Sequence, residues 1–97
     1  MPETIEELVK QAIAAAQSAG ALPEFEIEDY GLERPADTSN GDWSSTVAMR
    51  SARLARMAPA KIAKAIVDNM PPDPAITRVE VAGPGFINFY LSASAHN

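Results

Sequence analysis

The chain has no cysteine and only one histidine among its 97 residues. Without cysteine there is neither a disulfide framework nor a thiolate metal site, and one histidine leaves too few ligands for an all-protein zinc site. That histidine, His96, lies beside the C-terminus, where fraying is expected, so it is a poor general base. A length of 97 residues allows one small domain with one core. We therefore predict a single domain over residues 1–97 with no metal site.

Long apolar runs are also missing from the sequence. No stretch approaches the ~20 apolar residues of a membrane span. The N-terminal residues MPETIEELVK contain acids instead of the apolar run of a signal peptide. These absences favour a cytoplasmic protein with no membrane partner.

Basic residues are few, and they are unevenly distributed. Eight Lys and Arg stand against thirteen Asp and Glu, which gives a net charge of −5. Residues 1–48 hold ten acids and two bases, whereas residues 49–97 hold three acids and six bases. A mildly basic half can place a polyanion on one side of a domain. The candidate phosphate contacts are Arg50, Arg53, Lys61 and Lys64, although ordinary solvated helix faces account for these side chains equally well.

Apolar spacing predicts three helices. Thr4 and Glu7 have the spacing of a capping box, which predicts a first helix from about Ile5 that ends near Gly20. Ser44 or Ser45 can cap a second helix that runs to about Arg56 and buries Val47, Ala48, Ala52, Leu54 and Ala55. Pro59 suits the first turn of a third helix, and the prolines at 71, 72 and 74 end it.

Alternating apolar residues predict the strands. Residues 24–28 alternate in this way, with apolar residues at odd positions. The next apolar residues, Tyr30 and Leu32, are at even positions, so we expect a bend near Asp29 to Gly31 that brings both pairs to the same side. Residues 35–42, PADTSNGD, form a loop. Residues 77–81 and 87–91 alternate on either side of Gly83-Pro84-Gly85, which predicts a β-hairpin with Val79, Val81, Ile87, Phe89 and Leu91 facing the helices. The predicted fold is α+β, with three helices packed on one face of a small, mainly antiparallel sheet that ends in this hairpin.

The opposite face of the last strand must then display Phe86, Asn88 and Tyr90 in a row. Two aromatic rings beside a carboxamide can stack on unpaired RNA bases and read a base edge. Alternatively, the sheet is covered on both faces, or the aromatic side chains pack against a neighbouring strand. No catalytic arrangement competes with this row. Glu24, Glu26 and Glu28 are typical of a solvated strand face, Ser44 and Ser45 lack a paired histidine, and Gly83 and Gly85 join two strands instead of opening a helix.

Three segments resemble a known family. GDWSSTVAM (41–49), MAPAKIAKAI (57–66) and VEVAGPGFINFYL (79–91) are similar, in this order and spacing, to the N-terminal additional domain of bacterial-type arginyl-tRNA synthetases. The resemblance covers roughly residues 4–92. It implies an α+β domain that precedes a class I catalytic domain and contacts the outer corner of tRNA at the D-loop. Phe86 and Asn88 match the aromatic and amide residues that contact a D-loop base in this family, and Thr46 stands where many members have asparagine.

The resemblance also implies what lies outside this chain. Neither the HIGH-like nor the KMSKS-like ATP-binding motif of class I synthetases occurs in the sequence. We therefore expect no cofactor here and no aminoacylation by these residues alone, with ATP and magnesium used by a longer arginine–tRNA ligase. The expected partners are tRNA(Arg), through its D-loop, and the catalytic domain of the same chain, but not DNA. The abrupt end, SASAHN, favours a domain of a longer protein. The alternative is a free-standing protein-interaction or RNA-binding module of the same fold.

Overall fold

The computed structural model describes residues 1–95, so His96 lies outside the described residues. The elements in chain order are α1 (Pro2–Ser18), β1 (Leu32–Glu33), a 3₁₀ turn (Thr38–Asn40), β2 (Trp43–Ser45), α2 (Val47–Ala55), α3 (Pro59–Asp68), β3 (Ile76–Ala82), β4 (Phe86–Leu91) and a second 3₁₀ turn (Ala93–Ala95). The four strands form one antiparallel sheet in the order β1-β2-β4-β3. The predicted α+β fold with three helices and a C-terminal hairpin is confirmed.

The core lies between the helices and one face of the sheet. Ile87 and Phe89 of β4 are fully buried in a cluster with apolar residues of all three helices. Helices α2 and α3 contact β4, and α1 packs on α3. Truncating the fully buried Phe89 to alanine would lower the stability of the fold by ~3–5 kcal/mol. This inner face of the sheet therefore contributes strongly to the stability of the domain.

The first helix begins earlier than the sequence predicted, because Pro2 occupies its first turn. The amide of Ile5 already donates to the carbonyl of Met1 at 3.1 Å, so Thr4 lies inside the helix and no side chain caps it. The predicted capping box is therefore wrong. The predicted end is confirmed, since Gly20 adopts φ +79° directly after the last turn.

The other two helices begin close to the predicted residues. Helix α3 starts at Pro59, and the hydroxyl oxygen of Ser45 accepts a hydrogen bond from the amide of Val47 at 3.1 Å at the start of α2. Leu54, predicted to be buried, is 53% exposed. Leu54 lies in the last turn of α2, at the edge of the helix face that packs on the core, so fewer core side chains cover it.

The predicted strand over residues 24–28 does not form, because no strand among residues 1–95 pairs with this segment. Phe25 and Ile27 are half-buried against the core and the intervening glutamates are exposed, so the alternation reflects packing alone. The predicted bend is present. Asp29 accepts a hydrogen bond from the amide of Gly31 at 2.8 Å, and Gly31 adopts φ +61°.

The C-terminal hairpin has the predicted turn and one departure in burial. Strands β3 and β4 pair on either side of Gly83-Pro84-Gly85, with an irregularity between Ile76 and Arg78. Val81, expected to face the helices, is 39% exposed. It lies on β3, which is an edge strand of the sheet, so a neighbouring strand flanks it on one side only.

Candidate nucleic-acid interface

The outer face of β4, away from the helices, carries Phe86, Asn88 and Tyr90, as strand alternation predicted. The three side chains are not openly displayed. Phe86 and Tyr90 are half-buried, and Asn88 is only 5% exposed. The row is therefore largely covered by its surroundings instead of lying open on a flat sheet surface.

Asn88 is held by a residue of the adjacent strand. Ser44 of β2 is its direct register partner, and the Ser44 hydroxyl donates a hydrogen bond to Asn88 Oδ1 at 2.9 Å. Ser44 is itself 5% exposed. Because the carbonyl side of the amide is engaged, the Nδ2 donors are left over, and within residues 1–95 they have no protein acceptor.

A pocket of about 280 Å³ opens beside this pair. Its wall is formed by residues from β1, β2, the hairpin and the loop before β2, namely Glu33, Pro35, Asn40, Ser44, Ala82, Gly83, Phe86 and Asn88. Sites of roughly this size accept small, mostly apolar groups through a few placed polar contacts. An aromatic side chain, an amide with free donors and a carboxylate therefore share one cavity.

The loop over residues 35–42 forms one side of the pocket and is held by hydrogen bonds within it and to β4. Asp37 accepts a hydrogen bond from the amide of Ser39 at 2.9 Å, and this bond holds the pKa of the Asp37 carboxyl below its ordinary value. The Tyr90 hydroxyl donates to the carbonyl of Ser39 at 2.8 Å. The amide of Asp42 donates to the carbonyl of Phe89 at 2.8 Å. These bonds hold Asn40 at the pocket.

Tyr90 also has a cation against its ring. The guanidinium of Arg78, its register partner on β3, lies 4.0 Å from the ring centroid, and Arg78 Nε lies 3.1 Å from Glu80 Oε2. One ring face and the hydroxyl of Tyr90 are thus occupied within the domain. Tyr90 fastens the loop to the sheet, and Phe86 is the aromatic side chain that lines the pocket.

The four candidate phosphate contacts lie on α2 and α3, so none of them lines the pocket on the outer face. Two are already paired: Arg50 Nη1 lies 3.3 Å from Asp29 Oδ2, and Lys64 Nζ lies 2.7 Å from Asp68 Oδ2. Arg53 and Lys61 have no ion pair within the described residues. The structure therefore does not bring this basic set together with Phe86 and Asn88.

Other classes of site find no support in the described part of the chain. Residues 1–95 contain no group of three His, Cys, Asp or Glu side chains placed to hold a metal ion. No helix among these residues has both the length and the apolar composition to cross a membrane.

Besides Asn88, the pocket has three polar residues, and sequence reasoning missed all of them: Glu33, Asn40 and Ser44. The sequence indicates Ser44 or Ser45 as a helix cap and does not indicate a strand there, because a three-residue strand followed at once by a helix leaves almost no alternation to detect. The pairing of Glu33 with Ser44 across the sheet is a long-range relationship that spacing along the chain does not show.

The comparisons with known proteins address the whole domain. The profile of the family described as "Arginyl tRNA synthetase N terminal domain" matches residues 3–91. The chain belongs to this family. The predicted resemblance is thus confirmed over nearly the whole sequence.

The curated relatives of this chain include whole arginine–tRNA ligases. The arginine–tRNA ligase of Listeria welshimeri is 49% identical over 86 residues, which are 88% of this chain and 15% of the ligase. That of Acetivibrio thermocellus is 43% identical over 89 residues, which are 91% of this chain and 16% of the ligase. The chain thus spans about one sixth of the length of these curated relatives.

Solved structures agree on the fold. The arginyl-tRNA synthetase from Plasmodium falciparum matches 95% of this chain with a TM-score of 0.71 at 20% identity, over 16% of its own length. The Thermus thermophilus arginyl-tRNA synthetase matches 87% of this chain with a TM-score of 0.61 at 25% identity, over 13% of its own length.

Proposed function

We propose that this chain is the tRNA-recognition domain of an arginine–tRNA ligase and that it binds one unpaired base of tRNA(Arg) in the pocket beside Phe86 and Asn88. The observation that carries the proposal is this pocket, where an aromatic side chain and an amide with unused donors meet on the outer face of the sheet. Single-stranded RNA recognition uses both contacts, since the ring stacks on the base and the amide binds its edge.

The shape and charge of the pocket fit a base better than a phosphate group. Glu33 lines it, and the basic side chains of α2 and α3 do not. A carboxylate repels a phosphate but accepts hydrogen bonds from base edges. The phosphate contacts proposed for Arg50, Arg53, Lys61 and Lys64 would therefore involve a different part of the RNA from the bound base.

The D-loop at the outer corner of tRNA is the proposed target, on the strength of the resemblance of Phe86 and Asn88 to the family's base-contacting pair. The remaining steps of arginyl-tRNA formation belong, in this proposal, to a catalytic domain of the same chain. ATP and magnesium would act there, since this domain carries neither of the ATP-binding motifs. Its own contribution is to select and orient the tRNA.

The alternative, a protein-docking module, would need a continuous apolar stripe on the outer face. Asn88, Ser44 and Glu80 form a polar row across that face instead. Polar side chains that are hydrogen-bonded and recessed suit a small ligand group better than a flat protein surface. The geometry thus favours RNA recognition.

The test is binding of a tRNA(Arg) transcript to the 97-residue chain, followed by fluorescence anisotropy. Phe86→Ala should weaken binding by ~1–3 kcal/mol, because the ring loses its stacking contact with a base. Asn88→Ala should weaken it as well, through the lost donors. Phe25→Ala is the matched control, since Phe25 is also a half-buried aromatic side chain but lies in the groove beside α1.

The control variant should bind the transcript as the unchanged chain does. If Phe86→Ala remains folded by circular dichroism and binds with unchanged affinity, the pocket is not the site of base recognition. Equal losses for Phe86→Ala and Phe25→Ala would likewise count against it, because they would indicate a general effect on stability.

A further inference from the structure

Asn88 lies between two different polar side chains on the outer face of the sheet. Its register partner on β2 is Ser44, and its register partner on β3 is Glu80. Side chains of directly paired residues lie ~4.5–5.5 Å apart at their Cβ atoms. Asn88 therefore has a hydroxyl-bearing residue on one side and a carboxylate-bearing residue on the other.

These two neighbours favour the same orientation of the amide. The Ser44 hydroxyl donates to Asn88 Oδ1 at 2.9 Å. An ionised Glu80 carboxylate only accepts hydrogen bonds, so it repels Oδ1 and attracts the amide N–H groups. With Oδ1 on the Ser44 side, both interactions are favourable, whereas a flipped amide would place its oxygen toward the carboxylate.

This orientation leaves the amide nitrogen available. Glu80 Oε2 is paired with Arg78 Nε at 3.1 Å, and within residues 1–95 Asn88 Nδ2 has no protein acceptor. The side chain is 5% exposed and lines the pocket. Nδ2 is not among the buried side-chain atoms of residues 1–95 that lack a partner, so its N–H groups still reach the solvent in the pocket. A group that enters the pocket and accepts a hydrogen bond would take the place of this solvent.

We infer that Ser44 is a positioning residue for base recognition, which fixes the Asn88 amide so that the pocket presents N–H donors and selects a base by its acceptor atoms. This inference rests on the proposed function, since it assigns the chemistry of the same pocket. Ser44 makes no contact with the base in this account. Its hydrogen bond keeps the amide from flipping, so the nitrogen and not the oxygen faces the pocket.

The experiment compares Ser44→Ala with Ser45→Ala. Ser45 is the adjacent residue of β2, is fully buried and donates its own hydrogen bond to the carbonyl of Tyr30 at 2.6 Å, but it lies on the inner face of the sheet. Both variants lose a buried serine hydroxyl from the same strand, and Ser45→Ala also loses the bond from the Val47 amide, so its structural cost should be at least as large as that of Ser44→Ala. Only Ser44→Ala changes the hydrogen bond to Asn88.

The ligands are four trinucleotides with abasic flanking positions and a central A, C, G or U. Binding is followed by NMR through the Asn88 side-chain amide and the Phe86 ring signals of the 97-residue chain. The unchanged chain and Ser45→Ala should separate the best from the worst base by about tenfold, the discrimination of a good base contact. In Ser44→Ala this ratio should fall below about threefold. The Asn88 NH₂ signals of the free Ser44→Ala variant should also broaden, because only the Glu80 carboxylate, which is already paired with Arg78, then favours one orientation, and the amide samples both.

A second variant covers the case in which Ser44→Ala does not fold. Asn88→Asp keeps an acceptor for Ser44 but has no N–H donors at neutral pH. It should bind all four trinucleotides weakly and with little difference between them.

The outcomes separate the two proposals. If Ser44→Ala or Asn88→Asp keeps the ranking and ratio of the unchanged chain, or if the unchanged chain shows no ranking, Ser44 does not position a reading amide, although base binding at the pocket stands. If no trinucleotide perturbs the Phe86 or Asn88 signals, base binding at this pocket is itself wrong, and the positioning role with it.

Discussion

The carboxylate of Asp42 accepts a hydrogen bond from the amide of Leu91 at 2.8 Å, across 49 positions of the chain. The amide of Asp42 donates to the carbonyl of Phe89 on the same strand. One residue thus joins the end of the loop over residues 35–42 to β4 with both its backbone and its side chain. This double attachment sets where β2 begins, and therefore which residue of β2 faces Asn88.

Replacing Asp42 should destabilise the domain. Asp42→Ala removes a charged acceptor from a partly buried amide, and a hydrogen bond to a charged group contributes ~1.5–3 kcal/mol. Asp42→Asn keeps an acceptor oxygen and should cost less, about 1 kcal/mol. Urea unfolding followed by circular dichroism measures both. An unchanged unfolding midpoint for Asp42→Ala would show that the loop is held by its other contacts.

Gly41, next to Asp42, should tolerate no side chain. Its φ of +96° lies outside the usual range of L-residues, and a Cβ atom there would approach the carbonyl oxygen of Phe89 to 2.8 Å. Backbone strain of this kind costs ~1–3 kcal/mol, and the contact adds to it. We expect Gly41→Ala to lower the free energy of unfolding by more than about 2 kcal/mol.

Gly20 provides the matched control for this prediction. It also has a positive φ, +79°, but a Cβ atom would meet nothing within 4 Å. Gly20→Ala should therefore lower the free energy of unfolding only by the cost of the left-handed backbone conformation, ~1–2 kcal/mol. If the two variants unfold at the same urea concentration, the close approach of residue 41 to Phe89 does not contribute to the loss of stability.

Tyr30 should ionise at unusually high pH. Burial raises the pKa of its phenol above the ordinary 10.0, and the carboxylates of Glu6 and Glu7 on α1 raise it further. A raised folded-state pKa contributes stability that is fully present below the unfolded value and is lost as the pH rises through the folded value. Unfolding should therefore become easier as the pH rises above that of an ordinary phenol.

The measurement uses Tyr90→Phe, which leaves Tyr30 as the only tyrosine of the chain. Its titration, followed by phenolate absorbance, should have a midpoint above that of the urea-unfolded chain. The double variant Glu6→Gln/Glu7→Gln should lower this midpoint only in part, since burial is the larger cause. Coincident folded and unfolded titrations would contradict the predicted shift.

Local pattern was sufficient for the elements that bury a periodic apolar face. Apolar spacing and Pro59 led to the correct third helix, and the alternation of β4 led to the correct strand and inward-facing side chains. Local pattern led to a wrong prediction for residues 24–28, because a segment that packs on the core without pairing shows the same alternation as a strand. Whether a strand forms depends on a partner elsewhere in the chain, and no spacing within the segment encodes that partner.

The candidate site was predictable to the same extent. Alternation placed Phe86 and Asn88 on the outer face, but the hydrogen bond from Ser44 depends on a register between residues 44 positions apart. Tyr90 satisfies the same alternation, yet its hydroxyl and ring are occupied by Ser39 and Arg78. The sequence thus predicted the face, and the structure separates the pocket residues from the one that fastens the loop.

The domain alone should bind tRNA weakly and with little dependence on salt. Its net charge is −5, and Arg50 and Lys64 are already paired with carboxylates. Few phosphates can then be neutralised, so few counterions are released on binding. We expect a dissociation constant near the nonspecific range of ~10⁻⁴–10⁻⁶ M and a shallow slope of log affinity against log salt.

A potassium chloride titration of binding to the tRNA(Arg) transcript, followed by fluorescence anisotropy, tests this prediction. If Arg53 and Lys61 contact phosphates, Arg53→Gln and Lys61→Gln should each reduce the slope by about 1. The matched variants Arg50→Gln and Lys64→Gln should change it less, because each of these cations already has a carboxylate partner within 4 Å. Nanomolar binding with a steep slope would overturn this account, since it would require the basic side chains of α2 and α3 to form one continuous RNA-binding surface on the face opposite the pocket.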